Sequence, residues 1–137
     1  MSALFIACSD GRIAASIGAL QEKLDQLDAD RLLMPGGPLV FTRPGMERRV
    51  ALDFVRTQLE VGSIRTIYVI SHQECAAYQR ALGGFGFDQQ ELLERDLARV
   101  RRLLENTFPG VEVKTYIIPW RENGRGPAFG DAEPLDD

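Results

Sequence analysis

Short apolar runs alternate with longer segments of helical periodicity along this chain, and that alternation restricts its fold more than any other feature. The run 3–7 is apolar without alternation, as in a strand that is buried on both faces. Further strands are predicted at 31–34, 66–70 and 111–118. Strands separated by helices and short loops pair in parallel through right-handed crossovers. We therefore predict an α/β fold in which a mostly parallel sheet of about four to five strands is flanked by helices.

The segments between these strands carry apolar residues at helical spacing. Helices are predicted at 46–61 and 89–107, and Gly62 is well placed to end the first one. The predicted apolar face of the first helix consists of Val50, Phe54, Leu59 and Val61, with Ala51 and Val55 beside them. The apolar face of the second helix consists of Leu92, Leu93, Leu97, Val100, Leu103 and Leu104.

One domain of ordinary size accounts for the 137 residues. We expect this domain to comprise residues 1–120. The stretch 121–137 is rich in glycine, proline and acidic residues, and we expect it to hang free or to wrap over a partner surface.

Charge and hydropathy narrow the choice of partners and compartment. The 16 basic and 20 acidic residues give a formal net charge of -4, which disfavours a nucleic-acid partner held by phosphate neutralisation. The solvent side of the second helix is expected to carry Arg99, Arg101 and Arg102 together with Glu94, Asp96 and Glu105. No segment has the apolar length of a membrane span or a signal peptide, so we expect a cytoplasmic protein without a membrane partner.

Both cysteines and the single histidine follow predicted strands, at the edge where open α/β sheets form their sites. Cys8 comes after the first strand, whereas His72 and Cys75 come after the strand at 66–70. If these two strands are neighbours, the three side chains converge on one tetrahedron with one position left over. Two thiolates and one imidazole favour zinc, and three protein ligands with an open position are typical of catalytic zinc.

Asp10 decides whether such a site is open or closed. It lies two residues after Cys8 and is the obvious candidate for a fourth ligand. Arg12 offers a fork of donors that could instead hold the carboxylate off the metal. Three simpler alternatives remain open: inert packing of the two cysteines, a disulfide between them, and a plain surface ion pair between Asp10 and Arg12.

The segments Cys8-Ser9-Asp10-Gly11-Arg12 and His72-Gln73-Glu74-Cys75 resemble the paired Cys-x-Asp-x-Arg and His-x-x-Cys motifs of the β-class carbonic anhydrases. The distance between the two segments and the strand, helix and glycine-rich loop within it are also similar to that family. The resemblance covers residues 2–82 and, more loosely, the rest of the chain. It implies a β-carbonic-anhydrase-like fold.

The resemblance also implies a site and an activity. Cys8, His72 and Cys75 would bind Zn2+, and Asp10 and Arg12 would be the catalytic pair beside the metal. Zinc-bound hydroxide would attack carbon dioxide to give bicarbonate reversibly, which makes the protein a zinc lyase, a carbonate dehydratase. The alternative is a catalytically inactive zinc-binding domain with a binding or assembly role.

The chain departs from the family pattern around the pocket. The family's Asn-Ala-Gly-type loop is replaced by Met34-Pro35-Gly36-Gly37, where Gly36 and Gly37 either line the substrate site or only form a turn. The glycine that usually follows the second cysteine is Ala76. Each change touches the wall of the predicted pocket.

Two expectations about partners and protons complete the interpretation. The resemblance implies a homodimer or a higher homo-oligomer. Family members usually carry helical N-terminal segments that embrace the dimer partner, whereas seven residues precede Cys8 here, so the helix at 46–61 and the C-terminal stretch are expected to supply most of the contact. Because the only histidine would be a metal ligand, proton transfer would depend on Glu74, Tyr78 or buffer.

Overall fold

The structure is a computed structural model that describes residues 2–82, 89–123 and 126–135. The strands are β1 (Ala3–Cys8), β2 (Asp30–Met34), β3 (Thr66–His72), β4 (Glu112–Ile118), β5 (Trp120–Asn123), β6 (Gly126–Phe129) and β7 (Glu133–Pro134). The α-helices are α1 (Ala14–Lys23), α2 (Met46–Gly62), α3 (Ala76–Ala81) and α4 (Gln89–Thr107), and 3-10 turns cover Gly11–Ile13 and Gly37–Thr42.

Five strands form one sheet in the order β2-β1-β3-β4-β7. β1 pairs in parallel with β2 and β3, and β3 pairs in parallel with β4, whereas the short β7 is antiparallel to β4. The predicted α/β fold, a mostly parallel sheet flanked by helices, is therefore confirmed. Since β1 and β3 are adjacent, their carboxyl ends lie at the same edge of the sheet.

The core lies on both faces of the central strands. Every residue of β1 is buried, and β3 is buried from Ile67 to its end. The helices contribute a row of buried residues each, namely Ile17 and Leu20 from α1, Ala51, Val55 and Leu59 from α2, and Leu93, Leu97, Val100 and Leu104 from α4.

The predicted apolar face of α2 is only partly correct. Leu59 is buried together with Ala51 and Val55, but Val50, Phe54 and Val61 are exposed by 42%, 55% and 79%. Successive helical residues differ by about 100° in direction, so a row at 51, 55 and 59 turns residues 50 and 54 toward the edge of the packed face. The helix thus carries a second apolar row outside the core.

Asp96 is also placed differently from the prediction. It was expected on the solvent side of α4, but it is 4% exposed and accepts a hydrogen bond of 3.0 Å from the Tyr78 hydroxyl. A buried carboxylate is stable only with a partner of this kind. The pair connects α3 with α4.

The described part of the stretch from Arg121 folds back onto the domain. β5 and β6 form an antiparallel hairpin, and β7 extends the main sheet next to β4. Ser16 Oγ in α1 donates to the Gly130 carbonyl at 2.9 Å. These contacts contradict a free tail for residues 126–135, while residues 124, 125, 136 and 137 lie outside the described part. Within the ranges described, no helix is long and apolar enough to cross a membrane.

Candidate metal centre

Cys8, His72 and Cys75 meet at the carboxyl edge of the sheet, as predicted. Cys8 ends β1 and His72 ends β3, while Cys75 lies in the following loop, directly before α3. One ligand atom from each residue lies within 4.8 Å of the other two, and the three side chains are at most 5% exposed. The parallel pairing of β1 and β3 brings together residues 64 or more positions apart in the sequence, so the cluster follows from the topology.

The His72 ring presents one nitrogen to this cluster. Nδ1 lies 2.7 Å from the Gln73 carbonyl oxygen, to which it can donate only as Nδ1–H. In that tautomer Nε2 carries a free lone pair, and this atom is buried without a hydrogen-bond partner. An imidazole oriented through one nitrogen, with the other unpaired beside two thiols, is the usual arrangement of a metal ligand.

The sulfur atoms of Cys8 and Cys75 lie within 4.8 Å of each other. The Cys75 thiol beside Cys8 lowers the pKa of Cys8, the Asp10 and Gly36 amides lower it further, and burial opposes the shift. The Gly36 N–H donates to Cys8 Sγ at 3.3 Å. Contact with Cys8, together with burial, correspondingly raises the pKa of Cys75. A site that favours one thiolate at neutral pH suits binding of a thiophilic cation.

Asp10 is held by Arg12. Its Oδ1 accepts the Arg12 backbone N–H at 2.9 Å, and the Arg12 side chain donates from Nε to both carboxylate oxygens at 3.2 and 3.1 Å and from Nη2 to Oδ2 at 2.7 Å. This guanidinium keeps the pKa of Asp10 below its usual value. Arg12 Nη2 also donates to the Glu74 carbonyl at 3.3 Å, which connects the two sequence motifs across the site.

Gly36 and Gly37 lie behind Cys8 in left-handed backbone conformations, with φ of 80° and 60°. A Cβ on Gly37 would lie 3.0 Å from the Ile70 carbonyl oxygen and 3.1 Å from the Cys8 amide nitrogen. Both glycines are buried, so the turn that they form packs on β1 and β3. Their role in lining a substrate site stays a prediction.

The structure adds three residues that the sequence analysis did not single out. Gln73 lies between the ligands and its side chain accepts the Trp120 N–H at 2.8 Å. Phe129 places its ring edge-on to His72, with centroids 5.3 Å apart. The only sequence signal for these two aromatic residues was their position at a stretch rich in glycine, proline and charged residues. Trp120 directly precedes this stretch, and Phe129 lies within it.

The donor set fits zinc. Two thiols and one imidazole nitrogen, all buried, lie within 4.8 Å of one another, and the imidazole nitrogen lacks any other partner. Zn–S and Zn–N bonds of about 2.3 and 2.0 Å are compatible with ligand atoms at such separations. These residues could hold the metal, with Asp10 beside it.

Comparison with known proteins places the fold but not the activity. No protein-family model matches the sequence. Uncharacterized proteins of Rickettsia bellii and Rickettsia conorii are 23% and 24% identical to 85% of this chain, covering 76% and 67% of their own lengths.

Several solved structures with the same architecture are carbonic anhydrases. The β-carbonic anhydrase CafD of Aspergillus fumigatus matches with a TM-score of 0.56 and 13% identity over 94% of this chain and 88% of that one. The Streptococcus mutans carbonic anhydrase matches with a TM-score of 0.55 and 16% identity, over 98% and 81% of the two chains. A carbonic anhydrase from Glaciozyma antarctica matches with a TM-score of 0.52 and 14% identity over the same shares. The chain has a carbonic-anhydrase-like fold.

Proposed function

We propose that this protein is a zinc lyase that reversibly hydrates carbon dioxide to bicarbonate. The observation that carries the proposal is the buried Cys8, His72 and Cys75 cluster with its unpaired Nε2, beside a carboxylate that Arg12 holds outside the cluster. The solved structures of the same fold are named carbonic anhydrases, which supports the reaction class.

A zinc ion held by Cys8, His72 and Cys75 would keep one coordination position without a protein ligand. Zinc bound there would supply a Lewis acid that lowers the pKa of a coordinated water toward neutrality, although two thiolates weaken this effect relative to three imidazoles. The protein's own part is to present two sulfur atoms and Nε2 from rigid strand ends. Phe129, in contact with the His72 ring, adds an apolar surface on one side of the cluster.

Asp10 and Arg12 would act beside the metal as an orienting pair. Asp10 Oδ2 lies 4.0 Å from His72 Nε2, within reach of a group bound at the open position. An ionised carboxylate can only accept hydrogen bonds, so Asp10 would orient a hydroxyl by accepting its proton in a hydrogen bond. The Arg12 side chain occupies both carboxylate oxygens, which favours the open site over coordination by Asp10.

Proton transfer would depend on groups other than Tyr78. Burial, followed by the charge and hydrogen bond of Asp96, raises the pKa of Tyr78 well above its ordinary value. A phenol that stays protonated and donates to Asp96 is not a relay at neutral pH. Glu74 is exposed beside Arg12 and is therefore the better candidate on this chain, with buffer as the other source.

We propose a homodimer, or a higher homo-oligomer, as the functional unit. The second apolar row of α2 borders a groove of about 790 Å³ that Met34, Leu39, Val40, Met46, Val50 and Phe54 line. Arg43, Arg80 and Glu47 also line the groove, so the same surface carries charges of both signs, as a self-complementary twofold interface requires. Met34 pairs with Cys8 in the sheet, which puts this face directly behind the metal cluster.

The two free thiols suit a reducing compartment such as the cytoplasm.

The test is a stopped-flow assay of carbon dioxide hydration on protein with a measured zinc content. We expect hydration above buffer in the wild-type protein and a loss in Asp10→Asn that leaves zinc in place. Asp53→Asn is the matched control, because Asp53 is the exposed partner of Arg56 on α2. Zinc-loaded wild-type protein that shows no hydration between neutral and alkaline pH would reject the enzyme and favour the inactive zinc domain.

A further inference from the structure

Trp120 and Phe129 form a cross-strand aromatic pair over the metal cluster. The two residues are direct partners in the β5–β6 hairpin, and their rings meet edge to face with centroids 4.8 Å apart. Pairs of this geometry attract each other beyond their buried area. We refer to these two residues as the aromatic wall.

The aromatic wall contacts both Arg12 and the His72 ring. The Arg12 guanidinium carbon lies 5.2 Å from the Phe129 centroid and 6.0 Å from the Trp120 centroid, which is the range of a cation–π contact. The other side of the contact is the metal ligand, because the His72 ring meets Phe129 at 85° with centroids 5.3 Å apart. One ring therefore contacts both Arg12 and His72.

The aromatic wall is anchored at its base. The backbone N–H of Trp120 donates to Gln73 Oε1 at 2.8 Å, and Gln73 directly follows His72. Gly130 N–H donates to the Pro119 carbonyl at 2.9 Å, which closes the hairpin, and Ser16 Oγ in α1 donates to the Gly130 carbonyl at 2.9 Å. Movement of the aromatic wall is thus coupled to the metal loop and to α1.

Arg12 needs such a support to hold Asp10. Its side chain is 53% exposed, and an ion pair between a long exposed side chain and a carboxylate is weak, because ordering the side chain opposes the attraction. A surface that already restricts the guanidinium removes part of that entropic loss. We infer that the aromatic wall is a positioning device: it keeps Arg12 on Asp10 and thereby keeps Asp10 away from the metal position. A role of the aromatic wall in catalysis rests on the proposed function, whereas its effect on the position of Arg12 does not.

The first test measures Arg12 directly in the full-length protein without metal. Arg12 Nε–H donates to both carboxylate oxygens of Asp10, so the rate at which this proton exchanges with solvent measures how firmly the ion pair is held. The exchange rate is read from 15N NMR spectra. The signal that disappears in Arg12→Lys identifies the Arg12 Nε–H. Phe129→Leu should accelerate this exchange roughly two- to fivefold, the factor that an exposed cation–π contact supplies. Phe129→Tyr keeps the ring and should restore the wild-type rate.

The matched control is Phe108→Leu, because Phe108 makes the same type of contact with Arg56 at 5.3 Å on another part of the surface. This control should leave Arg12 exchange unchanged. An unchanged rate in Phe129→Leu, or an equal acceleration in Phe108→Leu, would overturn the inference. If Phe129→Leu does not fold, Trp120→Leu tests the same prediction, since it removes the second ring and leaves Phe129 in place.

The second test uses cobalt(II) as a spectroscopic probe in place of zinc. We expect the visible d–d spectrum of Phe129→Leu to differ from that of the wild type, because released Asp10 can enter the metal position. The double variant Phe129→Leu with Asp10→Asn should lose that difference, and a difference that persists would refute the route through Asp10. If the wild-type protein does not hydrate carbon dioxide, only the proposed function is rejected. The role of the aromatic wall is decided separately, by the exchange rate of Arg12 Nε–H and by the cobalt(II) spectra.

Discussion

Asp10 Oδ2 lies 4.0 Å from His72 Nε2, next to the cluster of three ligands but outside it. The same oxygen accepts hydrogen bonds from Nε and Nη2 of Arg12 at 3.1 and 2.7 Å. The carboxylate is therefore close to the metal position proposed above and is held by its own loop. This relationship separates an open site from a closed one.

We expect about one zinc per chain in the purified protein. Cys75→Ser should lose most of it, because a neutral hydroxyl replaces a thiolate at a ligand position. Ser71→Ala is the control, since Ser71 Oγ is buried next to His72 without a partner and its removal should leave zinc in place. Elemental analysis decides, and full zinc occupancy in Cys75→Ser would contradict the assignment.

Arg12→Ala should lower the hydration rate roughly 10- to 100-fold, the range typical of groups that orient metal ligands and their neighbours. Zinc content should change little, because the Arg12 side chain donates to Asp10 and to the Glu74 carbonyl rather than to the sulfur atoms or to His72 Nε2. Arg56→Ala, which removes the Arg56–Asp53 pair of α2, should leave the rate unchanged. Stopped-flow assays at matched zinc content measure this, and equal losses in both variants would indicate an unspecific effect.

Gly37→Ala should destabilise the fold by about 1–3 kcal/mol, because its φ is +60° and the new Cβ would press on the Ile70 carbonyl and the Cys8 amide. Gly18→Ala is the matched control: Gly18 lies inside α1, nothing lies within 4 Å of its Cβ position, and the substitution should stabilise by about 0.5–1 kcal/mol. Urea unfolding measures both. A neutral result for Gly37→Ala would show that the turn is not constrained by β1 and β3.

Tyr78→Phe should lower the free energy of unfolding by about 1–3 kcal/mol at pH 8, because the buried Asp96 carboxylate loses a donor. The folded pKa of Tyr78 is raised above its ordinary value, mainly by burial. The unfolded chain therefore releases the phenol proton first, so the stabilisation is complete below about pH 10 and declines above it. The difference between wild type and Tyr78→Phe in urea unfolding should shrink from pH 8 to pH 11, and a difference that grows would contradict the shift.

Phe54→Asp should convert the proposed dimer into monomers, because it places a charge in the apolar groove. Val61→Asp lies near the end of the same helix, is more exposed in the wild type and is absent from the groove lining, so it should leave the assembly intact. Light scattering at micromolar concentration distinguishes the two. A monomeric wild-type protein would reject the dimer.

The ligand cluster followed from the sequence because it depends on two local features. Uninterrupted apolar runs identify strands that are buried on both faces, and polar residues directly after them must lie at the carboxyl edge. Cys8 and His72 are such residues, and Cys75 follows His72 in the same loop. The sequence leaves the adjacency of the two strands open, and the resemblance to the β-class carbonic anhydrases implies that the three residues bind one zinc ion.

Helical periodicity was less decisive on α2 and α4. It identifies apolar rows but not which row meets the sheet, so Phe54 was assigned to the core although it is 55% exposed. Asp96 was assigned to solvent for the same reason, since nothing in its local sequence indicates a partner in α3. The choice between rows depends on how each helix is placed on the sheet.

The C-terminal hairpin shows what only the tertiary structure decided. Its composition resembles a flexible tail, yet Ser16 and Gly130, separated by 114 positions, share a hydrogen bond, and Phe129 contacts both Arg12 and His72. Local sequence determined the four parallel strands β1 to β4, the ligand types and the Asp10–Arg12 spacing, because these depend on neighbouring residues and on the backbone. The contacts of Phe129 with Arg12 and with His72 depend on how distant segments of the chain meet in space. No local sequence pattern encodes that arrangement.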